Sequence, residues 1–329
     1  MRYIVLCMWM MGATYLGAQD KLKVVTSVTI LKDMAELIAG DQLQVQCIMP
    51  IGSDPHLHEP TPRDAKMVAA ADLVLVNGLT LEGWLNELID NAGGDAEVVT
   101  VTDGIQSIAS QTYKNASDPH AWMDARNGIQ YIKNIKDSFV KLMPESKEIF
   151  EFNYGVYKQQ LEDLDDYIFR AIATIPERQR ILITSHDAFQ YYGRRYGIQL
   201  EALMGTSTDA QTQTSDMNRV INVIRANKVP ALFVESTINP KMLEQIAADN
   251  DIVIGGHLFA DSIGDEDSGA GSYYDMLKHN TDQIVAGLTN KAVVKPSVEM
   301  KTPSYMLWVG LAVLLLVGFF ILTKSLNKN

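Results

Sequence analysis

Apolar residues follow two alternating patterns along most of this chain, one typical of strands and one typical of helices. Residues 22–30 alternate as a β-branched strand does, and Ile30 and Met34 then recur at helical spacing up to Gly40, where a helix can end. Residues 72–78 contain a continuous apolar run, which is typical of a parallel strand covered by helices on both faces. This alternation predicts an α/β domain in the first half of the chain.

A long helical pattern over residues 145–174 separates the first half from a second one of the same kind. At about 1.5 Å per residue such a helix would span roughly 40 Å, which is longer than most globular helices. It is either one large surface helix or a strut that joins two domains. Strand patterns resume afterwards at 180–184, 231–235 and 252–254, with helical patterns between them.

Both ends of the chain have the pattern of targeting segments. Arg2 precedes an apolar run over residues 3–16, and small residues follow up to Ala18, which predicts a secretory signal peptide cleaved after that residue. Residues 305–323 are almost unbroken in apolar character, with aromatic residues at one edge and lysines after the other. This predicts a single-pass C-terminal membrane anchor rather than a buried core helix, with the bulk of the protein outside the cytoplasm.

Composition and charge narrow the function classes. The hydrophobic fraction of 47% is that of a folded globular protein. The formal net charge of −12 argues against a nucleic-acid partner, because phosphate binding needs a basic face. Cys7 lies in the predicted signal peptide, so Cys47 would remain alone, without an intramolecular disulfide and in a predicted core strand.

The tetrapeptide Ser-Asp-Pro-His occurs twice, at residues 53–56 and 117–120. Proline fixes its own φ and pushes the residue before it towards extended geometry, so each loop presents its histidine in a defined direction. A third histidine, His186, comes directly after the strand pattern at 180–184, and Asp261 follows the last predicted strand by a few residues. Open α/β sheets bind ligands in the loops at the carboxyl ends of their strands.

Together these loops offer three imidazoles and one carboxylate, from His56, His120, His186 and Asp261. Such a set suits a borderline divalent cation such as Zn²⁺ or Mn²⁺, whereas Ca²⁺ takes more oxygen ligands. Two of the four residues lie in each half of the chain, so a shared ligand would lie between the halves. The alternative is that the repetition is a coincidence and that these are ordinary loop histidines.

Several segments, which occur along the chain in the same order as in the family, resemble the cluster A-I metal-binding proteins. These proteins are the substrate-binding components of zinc and manganese ABC importers. The segments that carry the resemblance are Ile51-Gly52-Ser53-Asp54-Pro55-His56, Asp118-Pro119-His120-Ala121-Trp122, His186-Asp187-Ala188-Phe189, Phe233-Val234-Glu235-Ser236 and Phe259-Ala260-Asp261-Ser262. The resemblance runs from about residue 22 to residue 288.

The resemblance implies a fold and a function. The expected fold class is α/β, with two lobes that are each a mostly parallel sheet flanked by helices, joined by one long linker helix, and with the C-terminal transmembrane helix in addition. The implied metal ligands are His56, His120, His186 and Asp261, with the ion buried between the lobes. The implied function is an extracytoplasmic high-affinity receptor, not an enzyme, that delivers Zn²⁺ or Mn²⁺ to an ABC permease.

We accordingly divide the chain into six predicted segments. They are a signal peptide (1–18), an N-terminal metal-binding lobe (19–144), a linker helix (145–174), a C-terminal metal-binding lobe (175–289), a spacer (290–304) and a transmembrane anchor (305–323). The expected location is the periplasmic or cell-surface face of the inner membrane. There the anchor would replace the lipid of Gram-positive relatives and hold the receptor near its permease.

The chain departs from the family's pattern in a few places. The connector at 107–115 is short and has no histidine, whereas zinc-specific members often have a histidine-rich loop there. His186 stands where many manganese-specific members have glutamate, and a three-histidine site should favour zinc over manganese in affinity. His58 stands where the family usually has tyrosine and is a further candidate for the site. Glu235 and Asp187 are candidates to accept the second ring N–H of a ligating histidine.

Two other functions compete with a transport receptor. A metal-dependent cleft hydrolase would keep one coordination position open for water, and the sequence contains neither a His-Glu-x-x-His nor a Gly-x-Ser-x-Gly pattern. A surface adhesion protein of the same fold has no independent support in the sequence. The sequence therefore favours the receptor.

Overall fold

The computed structural model describes residues 21–110, 116–209 and 212–289, and strands and helices alternate along these ranges. The strands are β1 Lys23–Thr26, β2 Gln44–Cys47, β3 Leu73–Val76, β4 Glu97–Thr100, β5 Ile181–Thr184, β6 Gln199–Ala202, β7 Ala231–Glu235 and β8 Val253–Leu258. The α-helices are α1 Thr29–Ala39, α2 Pro62–Ala69, α3 Leu85–Ala92, α4 Ala125–Leu142, α5 Lys147–Ala173, α6 Gln190–Tyr196, α7 Thr214–Asn227, α8 Lys241–Asp249 and α9 Tyr273–Leu288.

The first four strands form one parallel sheet with the order β2-β1-β3-β4. β3 is buried at all four positions, in agreement with its continuous apolar run. α2 starts with a capping box, in which the Thr61 hydroxyl accepts from the Asp64 backbone and the Asp64 carboxylate accepts from the Thr61 backbone. Pro62 occupies the first helical turn. This cap fixes the point at which the first Ser-Asp-Pro-His loop gives way to a helix.

The 27-residue helix α5 contacts both halves of the molecule. It packs against α4 and α1 on the side of the first sheet and against α9 on the other side. Its buried residues Tyr157, Leu161 and Ile168 belong to one apolar cluster that includes β1 and β7 side chains. Full burial of one such aliphatic side chain contributes about 1.5–3 kcal/mol, so this face anchors the helix firmly to both halves.

A buried carboxylate ties α5 to two neighbouring helices. Asp165 accepts hydrogen bonds from Arg126 Nε of α4 at 2.9 Å, from Arg195 Nε and Nη2 of α6 at 2.6 Å each, and from the Tyr196 hydroxyl at 3.0 Å. Burial alone would raise the pKa of Asp165, but Arg195 and Arg126 outweigh it and lower the pKa. The carboxylate therefore stays ionised and joins three helices.

The second half contains two parallel strand pairs, β5-β6 and β7-β8, and β5 lies beside β7. β8 is longer than the strand predicted at 252–254. A β-carbon on Gly255 would come within 2.7 Å of Ala231 Cβ and 3.1 Å of Gly287 Cα. Because glycine stands at both 255 and 287, β8 continues directly beneath α9 instead of turning into a loop. The difference from the sequence expectation therefore comes from tertiary packing.

The predicted fold class included a C-terminal transmembrane helix, and the structure does not support that part of the prediction. Among the helices of the described ranges, none has both the length and the apolar character needed to cross a membrane. The segment predicted as the anchor, 305–323, lies outside the described residues, as does the predicted signal peptide, 1–18. The fold that the structure supports is the two-lobed α/β architecture alone. The predicted domain boundaries stay predictions.

Candidate metal centre

Four side chains from the two lobes converge at one point, and each offers one ligand atom within 4.8 Å of the others. They are His56, His120, His186 and Asp261. His120 Nε2 lies 3.3 Å from His56 Nε2, 3.4 Å from His186 Nε2 and 3.2 Å from Asp261 Oδ1. His186 Nε2 lies 3.4 Å from Asp261 Oδ2. The structure thus brings together the whole set that the sequence offered.

The spacing of these atoms fits a single small cation. In a tetrahedral zinc site with ligands about 2.0–2.1 Å from the ion, neighbouring ligand atoms lie about 3.3–3.4 Å apart. The distances from His120 Nε2 to the three other ligand atoms, 3.2–3.4 Å, are of this size. The side chains of His120, His186 and Asp261 are fully buried, so an ion bound there is shielded from water on most sides.

The two Ser-Asp-Pro-His loops use their aspartates differently. In both loops, one carboxylate oxygen accepts the backbone N–H of the histidine at 2.9 Å, from His56 to Asp54 and from His120 to Asp118. The same Asp118 oxygen lies 2.7 Å from the ring Nδ1 of His120, which leaves Nε2 to face the site. Asp54 instead accepts a hydrogen bond from Thr208 with its second oxygen, at 2.6 Å. The repeated tetrapeptide gives one backbone turn but two side-chain environments.

His186 has a carboxylate behind it as well. It lies two residues beyond β5, and Glu235 is the last residue of the neighbouring β7. Glu235 accepts the backbone N–H of His186 at 2.9 Å, and its second oxygen lies 2.5 Å from the ring Nδ1. Such a partner orients an imidazole and makes it a more basic ligand. Asp187, the other candidate for this role, accepts from Gln190 instead.

The carboxylates around the site set the protonation of its rings. For His120, burial alone would lower the pKa, but Asp118 and Asp261 outweigh it and raise the pKa to about 9. For His186, Glu235 and Asp261 likewise outweigh burial and hold the pKa well above its ordinary value. Burial would raise the pKa of Asp261, but the two histidines hold it well below its usual range. The site therefore favours positive charge, as a dication site must.

His56 differs from the other two histidines. Its ring is partly exposed, and burial lowers its pKa to about 4, so it is neutral at physiological pH. It borders a cavity of about 320 Å³ that is also lined by Thr80, Ser117, Thr206 and Asp209. His56 is therefore the candidate ligand that lies at the mouth of the site.

His58 does not belong to the cluster. Its Nε2 lies 3.2 Å from Asp64 Oδ2 of α2, and its ring packs edge-on against Trp84 with centroids 4.5 Å apart. Trp84 in turn donates from Nε1 to the carbonyl oxygen of Pro55 at 2.9 Å. These contacts support the loop that carries His56.

Some contacts at the site could not be found from the sequence pattern. Trp122 Nε1 donates to the carbonyl oxygen of Ala260 at 2.9 Å and so connects the His120 loop with the Asp261 loop. The contact of Asp118 with its histidine ring has a sequence signal, an aspartate two residues earlier, but the other loop has the same signal without the contact. Nothing in the sequence indicates the cross-lobe bond of Thr208.

A family comparison decides what kind of protein contains this cluster. The family model described as "ZnuA: Zinc-uptake complex component A periplasmic" matches residues 24–287. The chain belongs to this family. The predicted resemblance to substrate-binding components of zinc and manganese importers is therefore confirmed. The family comprises metal-binding transport proteins, so the prediction that the chain is not an enzyme is confirmed as well.

Curated relatives and a solved structure agree with this assignment. The "Manganese-binding lipoprotein MntA" of Halalkalibacterium halodurans is 38% identical over 270 residues, which cover 82% of this chain and 89% of that protein. The "Manganese ABC transporter substrate-binding lipoprotein PsaA" of Streptococcus pneumoniae is 34% identical over 285 residues, which cover 84% and 92%. The periplasmic zinc-binding protein TroA of Treponema pallidum superposes with a TM-score of 0.78 at 35% identity, over 82% of this chain and 99% of that one.

The predicted location needs a correction. Several of the curated relatives are named lipoproteins, whereas the sequence predicted a receptor anchored by its C-terminal helix. The described helices give that anchor no support. The predicted attachment through a C-terminal transmembrane helix is therefore contradicted.

Proposed function

We propose that this protein binds one Zn²⁺ or Mn²⁺ ion through His56, His120, His186 and Asp261 and delivers it to an ABC-type metal permease. The observation that carries the proposal is the convergence of these four ligand atoms, two from each lobe, within 4.8 Å. Family membership supplies the transport context. The ion is cargo rather than a catalytic cofactor.

The number of protein ligands supports a receptor over a hydrolase. A catalytic zinc typically has three protein ligands and keeps a position for water, whereas four protein ligands close a tetrahedral site. Here a fourth donor, Asp261, lies as close to His120 as the other two imidazoles do. A closed site suits an ion that must be carried without reacting.

The donor set also supports an order of preference among ions. Three imidazoles and one carboxylate bind zinc more tightly than manganese according to the Irving–Williams order. The relatives include proteins named for manganese and for zinc, so both ions belong in the proposal. We propose that zinc has the higher affinity and that the supply of each ion decides which one is carried.

The division of the ligands suggests how the ion leaves. His56 and His120 come from the half that precedes α5, and His186 and Asp261 come from the half that follows it. A small separation of the proposed lobes, 19–144 and 175–289, would therefore break the site into two pairs of ligands. A permease that prefers the separated form could take the ion without competing against all four donors.

Metal analysis of the purified protein tests the proposal. After incubation with excess Zn²⁺ and removal of unbound ion, elemental analysis by inductively coupled plasma mass spectrometry should find one zinc per chain. His120→Ala should lose the ion, whereas the matched control His58→Ala should retain it, because His58 contacts Asp64 and Trp84 rather than the cluster. Loss of the ion in both variants, or in neither, would contradict the proposed ligand set.

A further inference from the structure

A hydrogen bond crosses between the lobes beside the four proposed metal ligands. Thr208, in the loop between β6 and α7, donates from its hydroxyl to Asp54 Oδ2 at 2.6 Å. The other oxygen of the same carboxylate accepts the backbone N–H of His56 at 2.9 Å. One side chain therefore connects the ligand at the mouth of the site to a loop of the opposite lobe.

The second Ser-Asp-Pro-His loop provides an internal comparison. Asp118 uses one oxygen for both the backbone and the ring of His120, and both residues are fully buried. Asp54 has the same neighbours in sequence, but its second oxygen is directed across the cleft to Thr208. Because the local sequence is identical, the different use of Asp54 arises from its position at the mouth. It is not required by the tetrapeptide itself.

The loop that carries Thr208 forms one wall of the cavity in front of His56. Thr206 and Asp209 line that cavity together with the partly exposed imidazole. The Thr206 hydroxyl also lies 3.1 Å from the Ser110 hydroxyl of the first lobe, which is a second contact across the cleft. The described part of this loop is thus bound to the first lobe on two sides of the cavity.

We propose that Thr208 is a positioning residue that holds the loop of residues 206–209 closed over the metal site through Asp54, and that it thereby slows the release of bound metal. This inference rests on the proposed function. Within the part of the chain that the structure describes, Thr208 makes no hydrogen bond to any of the four proposed ligand side chains, so its removal leaves the coordination intact. Its effect should appear in the rate of metal dissociation.

The size of the effect follows from the type of bond. A hydrogen bond to a charged acceptor stabilises more than one between neutral groups, and loss of one such bond corresponds to about a tenfold change in an equilibrium or rate. If closure must be undone before the ion leaves, the lost bond raises the dissociation rate by about tenfold. The association rate changes little because an open site accepts the ion in either case.

The test compares three single variants of the zinc-loaded protein. Thr208→Val removes the hydroxyl and keeps the side-chain shape, Thr208→Ser keeps the hydroxyl, and Thr80→Val makes the same change on the wall of the same cavity. Thr80 makes no side-chain hydrogen bond among the described residues, so it is the matched control. Zinc release is followed by stopped-flow mixing with an excess of a chromogenic chelator. Zinc stoichiometry and the melting temperature of the metal-free protein are measured alongside.

The expected result is release about ten times faster from T208V, and release within twofold of the unaltered protein from T208S and T80V, with one zinc per chain throughout. Equal release rates in T208V and T80V would overturn the inference. So would a T208V protein that holds no zinc, because Thr208 would then be needed for coordination itself. If the unaltered protein binds no zinc, the proposed function fails instead, and the two failures are distinct.

Discussion

Two of the three histidines in the cluster have a carboxylate directly behind the ring. Asp118 lies against Nδ1 of His120 and Glu235 lies against Nδ1 of His186, while both Nε2 atoms face the common point. Such partners fix the tautomer and the orientation of a ligating imidazole. At the scale of single residues, metal affinity therefore depends on atoms beyond the four proposed ligands.

Two carboxylates next to His186 allow a direct test of this dependence. Glu235→Gln should weaken zinc binding about 10- to 100-fold, the range typical for loss of a carboxylate behind a metal-bound histidine. Asp187→Asn is the matched control, because Asp187 bonds to Gln190 and does not contact the ring. Affinities come from competition with a chelator of known strength. Equal losses in the two variants would show that charge near the site matters and contact does not.

The pKa shifts predict how affinity changes with pH. The pKa of His120 is raised to about 9 and that of His186 lies well above its usual value, so in the metal-free protein both rings hold a proton to a higher pH than a free imidazole does. Zinc must displace these protons, and its affinity should therefore increase as pH rises. Between pH 6 and pH 8 the gain is about 100-fold for each proton released. His56, with its pKa lowered to about 4, adds nothing in this range.

Chelator competition at several pH values, together with proton release into a weakly buffered solution, checks this expectation. The metal-free and metal-bound forms must be compared in buffers that do not bind zinc. An affinity that stays constant from pH 6 to pH 8 would contradict the protonation state described for the two buried rings.

At the scale of elements, α5 depends on a charged contact as well as on its apolar face. Asp165 joins this helix to Arg126 of α4 and to Arg195 and Tyr196 of α6. Breaking a buried ion pair from one side leaves uncompensated charge and is strongly destabilising. The same is not expected of exposed pairs, of which Lys133 and Asp137 on α4 are an example.

We predict that Asp165→Ala lowers the free energy of unfolding by about 3 kcal/mol, the lower end for a broken buried pair, because Arg126 remains half exposed and can turn to water. Lys133→Ala is the control and should change it by less than about 1 kcal/mol. Urea denaturation of the metal-free protein measures both. Similar small changes in the two variants would show that α5 is held by its apolar face alone.

The elements themselves could largely be predicted from the sequence. The continuous run at β3, the threonine-proline start of α2 and the long stripe of α5 are local patterns, and the structure has an element at each of these places. The sequence predicts β8 too short, because Gly255 and Gly256 have the pattern of a loop. Only the close approach of α9 explains why glycines stand inside this strand. The different uses of Asp54 and Asp118 could not be predicted, since one tetrapeptide encodes both.

At the scale of the whole molecule, the proposed site is assembled by the fold and exists only when the two halves meet. Trp122 donates across the interface to Ala260, and the Tyr273 hydroxyl donates to the carbonyl oxygen of Trp122 at 2.6 Å. The first contact connects the loops of His120 and Asp261, and the second connects the His120 loop with α9. A protein organised in this way can couple binding of an ion to closure of its two halves.

The most direct test of this account is the position of the ion itself. Crystals of the zinc-loaded protein, measured at the zinc absorption edge, should show one strong anomalous peak per chain, within about 2.0–2.2 Å of His56 Nε2, His120 Nε2, His186 Nε2 and an Asp261 carboxylate oxygen. A peak that lacks any of these four ligands, or that lies elsewhere on the chain, would contradict the proposed site.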